Sequence, residues 1–411
     1  MATDGGVGDG KGVDRRTFLV GTALASVGLA TGPAGAAAAG RTTVRARRTL
    51  GKTGLEVPDI AFGSFRLAEG DEDLVRYAVD AGITHFDTAE SYGGGVSERT
   101  IGRGLAGRRD KCTITSKLVT SPTGTRAEFM KALEESLRRL QTDRIDVYLN
   151  HAVNDVARLT NPEWQAFVAD AKKQGKIRFT GMSGHAGRLI ECLDYAIDHD
   201  LADTVLVAYN FGQDPKFYEK FLKNMDMVSI QPDLPRVLTK AKSKNVGVQT
   251  MKTLMGARLN DMRPYESGDA TFAQAAFRWV LSNRDVDGVV VTMPDRAHVD
   301  EYLGASGASG VDHADADLLV RYASLQAAAY CRHGCGICES SCPAGVPIGE
   351  VLRTRMYARD YGAVDVARIE YATLGSPADA CLSCSGQPCA GTCPHGLAPH
   401  LLTRATHALL V

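Results

Sequence analysis

Short β-rich runs alternate with amphipathic segments from residue 59 to residue 293, and this alternation limits the possible folds more than any other feature of the chain. The runs are residues 59–65, 85–89, 112–118, 145–151, 177–183, 204–210, 246–254 and 288–293. Between most of them apolar residues recur at helical spacing, as in 128–140 and 189–197. Eight strand–helix units predict an α/β fold, a (β/α)8 TIM barrel. The alternative, a doubly wound sheet, usually opens with a glycine-rich phosphate loop after its first strand, and none occurs there.

Segments on both sides mark the limits of the barrel. A hairpin is predicted before it, with residues 47–50 and 55–57 as strands around a glycine-containing turn. After it, the Gly- and Ser-rich segment 304–310 predicts a flexible linker. Helices are then predicted at 315–330 and 350–361.

These boundaries predict three regions. They are a signal segment (residues 1–40), a barrel domain (41–310) and a small, mainly α-helical domain (311–411).

The first residues resemble an export signal. Arg15-Arg16 precede Thr17-Phe18-Leu19-Val20 and a weakly apolar stretch, a pattern similar to the twin-arginine signal, and residues 36–39 offer small side chains for cleavage. The alternative is an unstructured tail with an Arg pair. We predict export by the twin-arginine route to the periplasm or another extracytoplasmic space, with a cytoplasmic location as the alternative.

Composition excludes two classes of partner. The net charge of −1 argues against a general nucleic-acid binder, which carries a basic surface. No apolar run reaches the ~18–20 residues that a membrane-spanning helix needs, so we predict no stable membrane span. The expected partner is a small molecule.

Polar residues stand at the ends of three successive predicted strands. Asp87, with Tyr92 just beyond it, ends one strand, Lys117 ends the next, and His151 ends the third. Active sites of such barrels lie at the carboxyl ends of the strands, so these four side chains are predicted to meet at one pocket.

This constellation resembles the catalytic tetrad of the aldo-keto reductases. Asp-x-Ala-x-x-Tyr at Asp87–Tyr92 is followed by Lys117 and His151 at the ends of the next strands, and the motifs at 50–57 and 96–98 also match that family. The similarity covers about residues 47–305. It implies an oxidoreductase that interconverts a carbonyl and an alcohol with NADP, or NAD, as cofactor.

The chemistry of these side chains fits such a reaction. A carbonyl that receives a hydride also needs a proton, and Tyr92 can act as the general acid. We expect the nearby ammonium of Lys117 to lower the pKa of Tyr92 from ~10. Asp87 would hold Lys117 charged, and His151 would orient the carbonyl. Taken singly, each of these residues has a structural alternative, a buried ion pair or a core histidine.

The resemblance also implies cofactor contacts on later loops. Ser183, Asn210, Lys252 and Arg296 are the residues it places there. The family pattern Gly-Val-Ser-Asn reads Gly-Met-Ser-Gly here, so Gly184 replaces the asparagine. The predicted pocket walls are Phe65, Arg66 and Trp164.

Eight of the ten cysteines lie in two groups that each end in Cys-Pro. Zinc, disulfides and iron–sulfur clusters are the alternative interpretations. The spacing resembles the bacterial ferredoxin run and favours two [4Fe–4S] clusters, and the insert between the groups resembles the helical ferredoxin-like tail of some bacterial aldo-keto reductases. The resemblance implies that the fourth cysteine of each group binds the other cluster. The implied sets are Cys331, Cys335, Cys338 and Cys393 for one cluster, and Cys381, Cys384, Cys389 and Cys342 for the other.

Together these features predict an exported aldo-keto reductase-type oxidoreductase with a dicluster domain and an electron-transfer partner. The alternative is a non-catalytic barrel, a scaffold or redox sensor, that carries an electron-transfer module. The remaining cysteines, Cys112 and Cys192, are predicted to be small core residues.

Overall fold

The structure is a computed structural model. It describes residues 42–213, 231, 233–254, 262–266, 270–325, 331, 335–359, 364–375 and 377–411. The predicted signal segment and the last residues of both predicted C-terminal helices lie outside these ranges.

A hairpin precedes the barrel, as predicted. Strands β1 (Arg47–Thr49) and β2 (Glu56–Pro58) pair antiparallel. Leu50, Leu55 and Val57 are buried in a cluster with side chains that fill the barrel interior. The hairpin turn lies at the amino end of a barrel strand, because the Lys52 N–H donates to the carbonyl of Asn245. This end of the barrel is therefore covered, and the carboxyl end is left for a site.

Eight parallel strands form a closed barrel, which confirms the predicted fold. The last barrel strand pairs with the barrel strand before it and with the first barrel strand, and so closes the ring. The strands are β3 (Ile60–Gly63), β4 (His85–Asp87), β5 (Thr113–Leu118), β6 (Ile145–Asn150), β7 (Ile177–Gly184), β8 (Thr204–Ala208), β9 (Gly247–Met251) and β10 (Gly288–Thr292). Each lies within or close to a predicted run, because strands covered on both sides read as near-continuous apolar segments.

Helices surround the barrel and continue beyond it. The barrel helices are α1 (Glu72–Asp80), α2 (Val96–Gly104), α3 (Arg126–Leu140), α4 (Ala157–Thr160), α5 (Pro162–Lys173), α6 (Leu189–Asp198), α7 (Leu234–Ser243), α8 (Phe272–Ser282) and α9 (Arg296–Leu303). The C-terminal helices are α10 (His313–Leu325), α11 (Ile348–Arg359), α12 (Val364–Thr373), α13 (Ala380–Ser383) and α14 (Pro399–Leu410). Thr125 and Glu128 start α3 with a capping box, in which each side chain bonds to the other's backbone N–H.

The main apolar core lies between the strands and the surrounding helices. Cys112 and Cys192 are buried in this core, as predicted. A separate cluster packs α10 against α8 through Phe272, Leu319 and Tyr322. The C-terminal helices have a third cluster of their own.

The prediction of a flexible linker at 304–310 is wrong. Ser306 is buried, and its hydroxyl donates to Asp59 at 2.7 Å. The Gly307 N–H donates to the other carboxylate oxygen of Asp59, also at 2.7 Å. Small residues are present because this segment passes close to the backbone of residues 45–46. Residues 41–411 form one compact unit, so the domain boundary at 310 stays a prediction.

One glycine in β7 is required by close strand packing. A Cβ atom on Gly181 would lie 1.8 Å from the carbonyl oxygen of Thr204 on β8. Only a residue without a side chain allows β7 and β8 to pair in this register.

We expect Gly181→Ala to lower the free energy of unfolding by about 2 kcal/mol or more, because the added methyl group forces the two strands apart. Urea unfolding followed by circular dichroism measures this. Gly310→Ala is the matched control, because its Cβ would meet nothing within 4 Å, and it should change stability by less than about 0.5 kcal/mol. Equal stability of the two variants would contradict the packing argument.

Candidate active site

A cavity of about 650 Å³ opens at the carboxyl ends of the barrel strands. Its size lies in the range of small-molecule sites. All four residues of the predicted tetrad line it: Asp87, Tyr92, Lys117 and His151. The structure therefore brings together the side chains that the sequence placed on three different strands.

Lys117 joins the members of this group. Its side chain is 1% exposed, and its ammonium donates to the Asp87 carboxylate and to the carbonyl of Thr88, each at 2.7 Å. The third contact, to the Tyr92 hydroxyl, is 3.4 Å long. Every proton of the ammonium thus has a partner, which a buried charge requires.

The ionisation of this group differs from the prediction in one respect. Burial opposes a charge on Lys117, but Asp87 and Tyr92 outweigh it and raise the pKa of the ammonium above its usual value. Burial also raises the pKa of Tyr92, and the opposing effect of Lys117 is smaller. The expected lowering of the Tyr92 pKa is therefore wrong for this structure. Tyr92 keeps its proton at neutral pH, as a proton donor must.

His151 faces Tyr92 across the cavity. The two rings lie edge to face, with centroids 5.8 Å apart. Burial lowers the pKa of His151 well below its usual value, and the cations Lys117, Arg158 and Lys252 lower it further. The imidazole is therefore neutral. Its Nδ1 is buried and has no hydrogen-bond partner in the described part of the chain.

A network of hydroxyl groups holds the backbone around Asp87. Ser64 donates to the carbonyl of Asp87 at 2.7 Å and accepts from Ser97 at 2.6 Å. Ser97 also shares a hydrogen bond with Thr88 at 2.8 Å. Ser97 belongs to the motif that carried the family resemblance, but its part in positioning Asp87 was not predicted from the sequence.

A buried ion pair supports Lys117 from the other side. The Glu98 carboxylate is fully buried and pairs with Arg139 at 2.6 Å. Its other oxygen accepts from Ser116, the residue before Lys117, also at 2.6 Å. Strand β5 is thereby tied to α2 and α3 at the point where Lys117 leaves it.

Two of the four predicted cofactor residues line the cavity. They are Ser183, at the end of β7, and Lys252, just after β9. Asn210 is buried and accepts from the N–H of Gly212, but it does not line the cavity. The guanidinium of Arg296 lies over the ring of Tyr77, 5.1 Å from its centroid, and also lies away from the lining. The cofactor roles of all four stay predictions.

Gly184 stands where the family pattern has asparagine, and the structure gives a reason. A Cβ atom there would lie 2.6 Å from the Leu189 side chain and 3.1 Å from the carbonyl of Val153. No larger residue fits without a shift of this loop. The next residue, His185, lines the cavity instead.

The predicted pocket walls are partly wrong. Phe65 and Arg66 line the cavity, and the Phe65 ring lies edge to face with Tyr92 at 5.1 Å. Trp164 does not, because it packs between Phe129 and Phe167 in the core behind the strands.

A further part of the cavity wall comes from the C-terminal helices, and no pattern in the sequence indicated it. Four of their residues line the cavity: Tyr357, Val366, Ile369 and Glu370. Their spacing in the sequence is that of ordinary helical residues. Their position on the cavity wall follows only from the packing of α11 and α12 against the barrel.

None of the ten cysteines, all of which lie in the described ranges, forms a disulfide. Cys342, Cys381, Cys384 and Cys389 line one small cavity together. Cys338 lies near Cys335 and Cys393: burial raises the pKa of the Cys338 thiol to about 12, and nearby Glu339 and these two cysteines add to the effect. Each neighbourhood therefore combines cysteines from both sequence groups. Cys331 packs against the C-terminal apolar cluster, as do cysteines of both neighbourhoods, and this contact does not assign it to either one.

A cavity at the carboxyl end of such a barrel, with Tyr92 beside a buried ammonium on its wall, is typical of an enzyme that acts on a small molecule. The sequence profile of the Aldo/keto reductase family matches residues 59–317, and the chain belongs to this family. It is an NAD(P)-dependent oxidoreductase of the aldo-keto reductase type. The family match ends at residue 317, so helices α11 to α14 lie beyond it.

Known proteins resemble most of the barrel. L-galactose dehydrogenase of Arabidopsis thaliana is 26% identical over 300 residues, which are 63% of this chain and 87% of that protein. An aldo-keto reductase of Klebsiella pneumoniae, solved in complex with NADPH, matches with a TM-score of 0.51 and 25% identity over 68% of this chain and 96% of its own. An aldo-keto reductase of Bacillus halodurans in its holo form shares the fold, with a TM-score of 0.55 and 19% identity over 70% of this chain and 99% of its own.

Lys252 is a cation of the cavity wall with an unusual backbone conformation and a shifted pKa. Its φ is 57°, a left-handed conformation that is uncommon for residues with a side chain and is often found at functional sites. Burial lowers its pKa to about 7, and the charge of Arg353 lowers it further. An unfolded lysine has a pKa of ~10.4, so between about pH 7 and pH 10 the unfolded chain binds the extra proton at this residue.

Lys252 should therefore make the chain more stable as the pH rises from 7 to 10. We expect the Lys252→Met variant to have a higher free energy of unfolding than the unsubstituted chain at about pH 6.5, near the lower end of this window. At about pH 9.5 this difference should be much smaller, because Lys252 is then neutral in the folded chain. Urea unfolding at both pH values tests this, since other effects of the substitution cancel in the comparison. The same stability difference at both pH values would contradict the lowered pKa.

Proposed function

We propose that this chain interconverts a carbonyl and an alcohol of a small molecule at the barrel cavity, with NADP, or NAD, as cofactor. The observation that carries the proposal is the contact of the Lys117 ammonium with both Asp87 and Tyr92 on the cavity wall. It supports the roles that the family resemblance implies for these residues.

The proposed chemistry divides among the four side chains. Bound nicotinamide supplies the hydride to the carbonyl carbon, or accepts it in the reverse direction. Tyr92 donates its proton to the carbonyl oxygen during reduction, and the Lys117 ammonium stabilises the phenolate that remains. Asp87 keeps Lys117 charged. The neutral imidazole of His151 donates a hydrogen bond to the same oxygen and so orients the carbonyl.

The cavity wall suits a nucleotide cofactor at two points. The Ser183 side chain is fully buried at the end of β7, and Lys252 offers a cation beside the same opening. The Klebsiella pneumoniae relative was solved with NADPH, which supports this choice. Because Lys252 loses its proton near pH 7, the affinity for an anionic cofactor is expected to fall above that pH.

Tyr92→Phe tests the enzyme assignment directly. It removes the donated proton but keeps the ring, so the rate of carbonyl reduction should fall by a factor of about a hundred or more. The assay follows NADPH or NADH oxidation with para-nitrobenzaldehyde and glyceraldehyde as probes. Tyr195→Phe is the control, because the Tyr195 ring stacks on His199, which follows α6, and does not line the cavity. This variant should keep full activity. Equal activity of both variants would favour the non-catalytic scaffold or sensor.

We further propose that the C-terminal part carries two [4Fe–4S] clusters, which supply single electrons to a partner. The cysteines form no disulfides, which leaves their sulfurs available to iron. The two mixed neighbourhoods support the proposal further, because they match the exchange of the fourth ligand in two-cluster ferredoxins. Among the described residues, no three His, Cys, Asp or Glu side chains lie close enough to bind one metal ion. An iron–sulfur cluster does not need its thiolates to meet at one metal ion, because each thiolate binds a different iron atom.

Iron and acid-labile sulfide contents of anaerobically purified protein test the cluster proposal. We expect about eight irons per chain, and about four after Cys384→Ser, because one cluster loses a ligand. Cys112→Ala is the matched control: this thiol lies in the barrel core, so the iron content should not change. Zinc or disulfides in place of iron would overturn the proposal.

Export by the twin-arginine route is the proposed address, supported by Arg15-Arg16 and the small residues that follow. This route carries folded proteins, so cofactors can be inserted before transport. Within the described residues, the helices are too short or too polar to cross a membrane.

A further inference from the structure

Helices α11 and α12 bring a separate side wall to the cavity. Val366, Ile369 and Glu370 follow one another at i, i+3 and i+4, so they lie on one face of α12. All three line the cavity that holds the tetrad. Tyr357 of α11 adds a buried ring to the same wall.

Hydrogen bonds fix α11 against the barrel. The Tyr357 hydroxyl shares a hydrogen bond of 2.9 Å with Nε2 of His185, at the end of β7. The Lys252 ammonium lies 3.4 Å from the same hydroxyl and 4.7 Å from the ring centroid, a cation–π contact. Two turns earlier on α11, the Glu350 carboxylate accepts from the N–H of Gly187 at 3.2 Å.

A buried arginine then fixes α12 against α11. The Arg353 side chain is 5% exposed and bonds to Glu350 at 2.8 Å and to Glu370 at 3.1 Å. Since Glu370 lies on the cavity-lining face of α12, the position of that face is set by ion pairs that reach back to the barrel. The wall is thus held in place on both sides.

Exposed apolar side chains line the cavity on both the barrel side and the wall side. Ile369 is 66% exposed although it lines the cavity, and Val119, which follows β5 on the barrel side, is 49% exposed. Phe65 and Val366 lie on the same lining. Glu370 is paired with Arg353 and adds no unpaired charge there. An exposed apolar side chain on the wall of a cavity can be covered by an apolar part of a bound ligand.

We propose that α12 supplies the substrate-binding wall, that Ile369 is a specificity-determining residue, and that the preferred substrates are carbonyl compounds with an apolar aromatic or branched alkyl substituent. This inference rests on the proposed function. The carbonyl of the substrate lies at Tyr92 and His151, and its substituent extends to Val119 and Ile369 on the cavity lining. Burial of an apolar substituent there removes both side chains from water.

Ile369→Ser in the full-length chain tests the inference. We expect KM for para-nitrobenzaldehyde to rise about tenfold, with kcat changed less than about twofold, because the lost contact binds the substituent and not the reacting atoms. KM for glyceraldehyde, which has no apolar substituent, should stay the same. Ile369→Trp narrows the cavity and should also raise KM for para-nitrobenzaldehyde while glyceraldehyde is unaffected.

Leu401→Ser is the matched control. Leu401 is 57% exposed on α14 and does not line the cavity, so its loss should change neither KM. Since Ile369 and Leu401 are both exposed, neither substitution should unfold the chain.

Three outcomes separate the failures. If Ile369→Ser raises KM for neither aldehyde, or for both equally, the wall does not select the substituent and the inference fails while the proposed function stands. If glyceraldehyde is the better substrate of the unsubstituted chain, the substrate class is wrong. If that chain reduces neither aldehyde with NADPH or NADH although it binds the nucleotide, the proposed function itself fails.

Discussion

The buried ammonium of Lys117 is the constraint on which the active site depends. A charge removed from water is costly unless every proton has a partner, and here the partners are Asp87, the carbonyl of Thr88 and Tyr92. Asp87 ends β4, and Thr88 and Tyr92 lie in the loop that follows, so the three contacts fix the path of this loop. The Ser64–Ser97 hydroxyl pair and the Glu98–Arg139 ion pair secure that path from behind. Catalytic geometry and local stability are therefore set by the same charge.

The strands and the tetrad could be predicted from the sequence because their signals are local. A run such as Val289-Val290-Val291 predicts a buried strand wherever it occurs, and parallel strands in a closed ring bring their carboxyl ends together. The acidity of Tyr92 could not be read in this way. It depends on the balance between burial and one ammonium, and burial is known only once Phe65 and His151 are placed around the ring.

Contacts between distant segments account for the other errors. The Gly- and Ser-rich segment at 304–310 has the composition of a linker, but it is held by Asp59, far away in the chain. Trp164 was predicted to line the pocket, but it lies on the face of α5 that packs into the core. Residues that do form the wall, such as Ile369, lie in a helix whose sequence pattern does not indicate contact with the barrel.

The mixed neighbourhoods of the cysteines impose an order of events on biosynthesis. Cys338 lies near Cys393, and Cys342 shares its cavity with Cys381, Cys384 and Cys389. Neither neighbourhood is complete until synthesis has reached Cys389 or Cys393, whereas the last barrel strand ends at Thr292. When the barrel strands have been made, the cavity still lacks the side that α11 and α12 supply. These two helices precede the second cysteine group in the chain, so the cavity wall can dock before either cysteine neighbourhood is assembled.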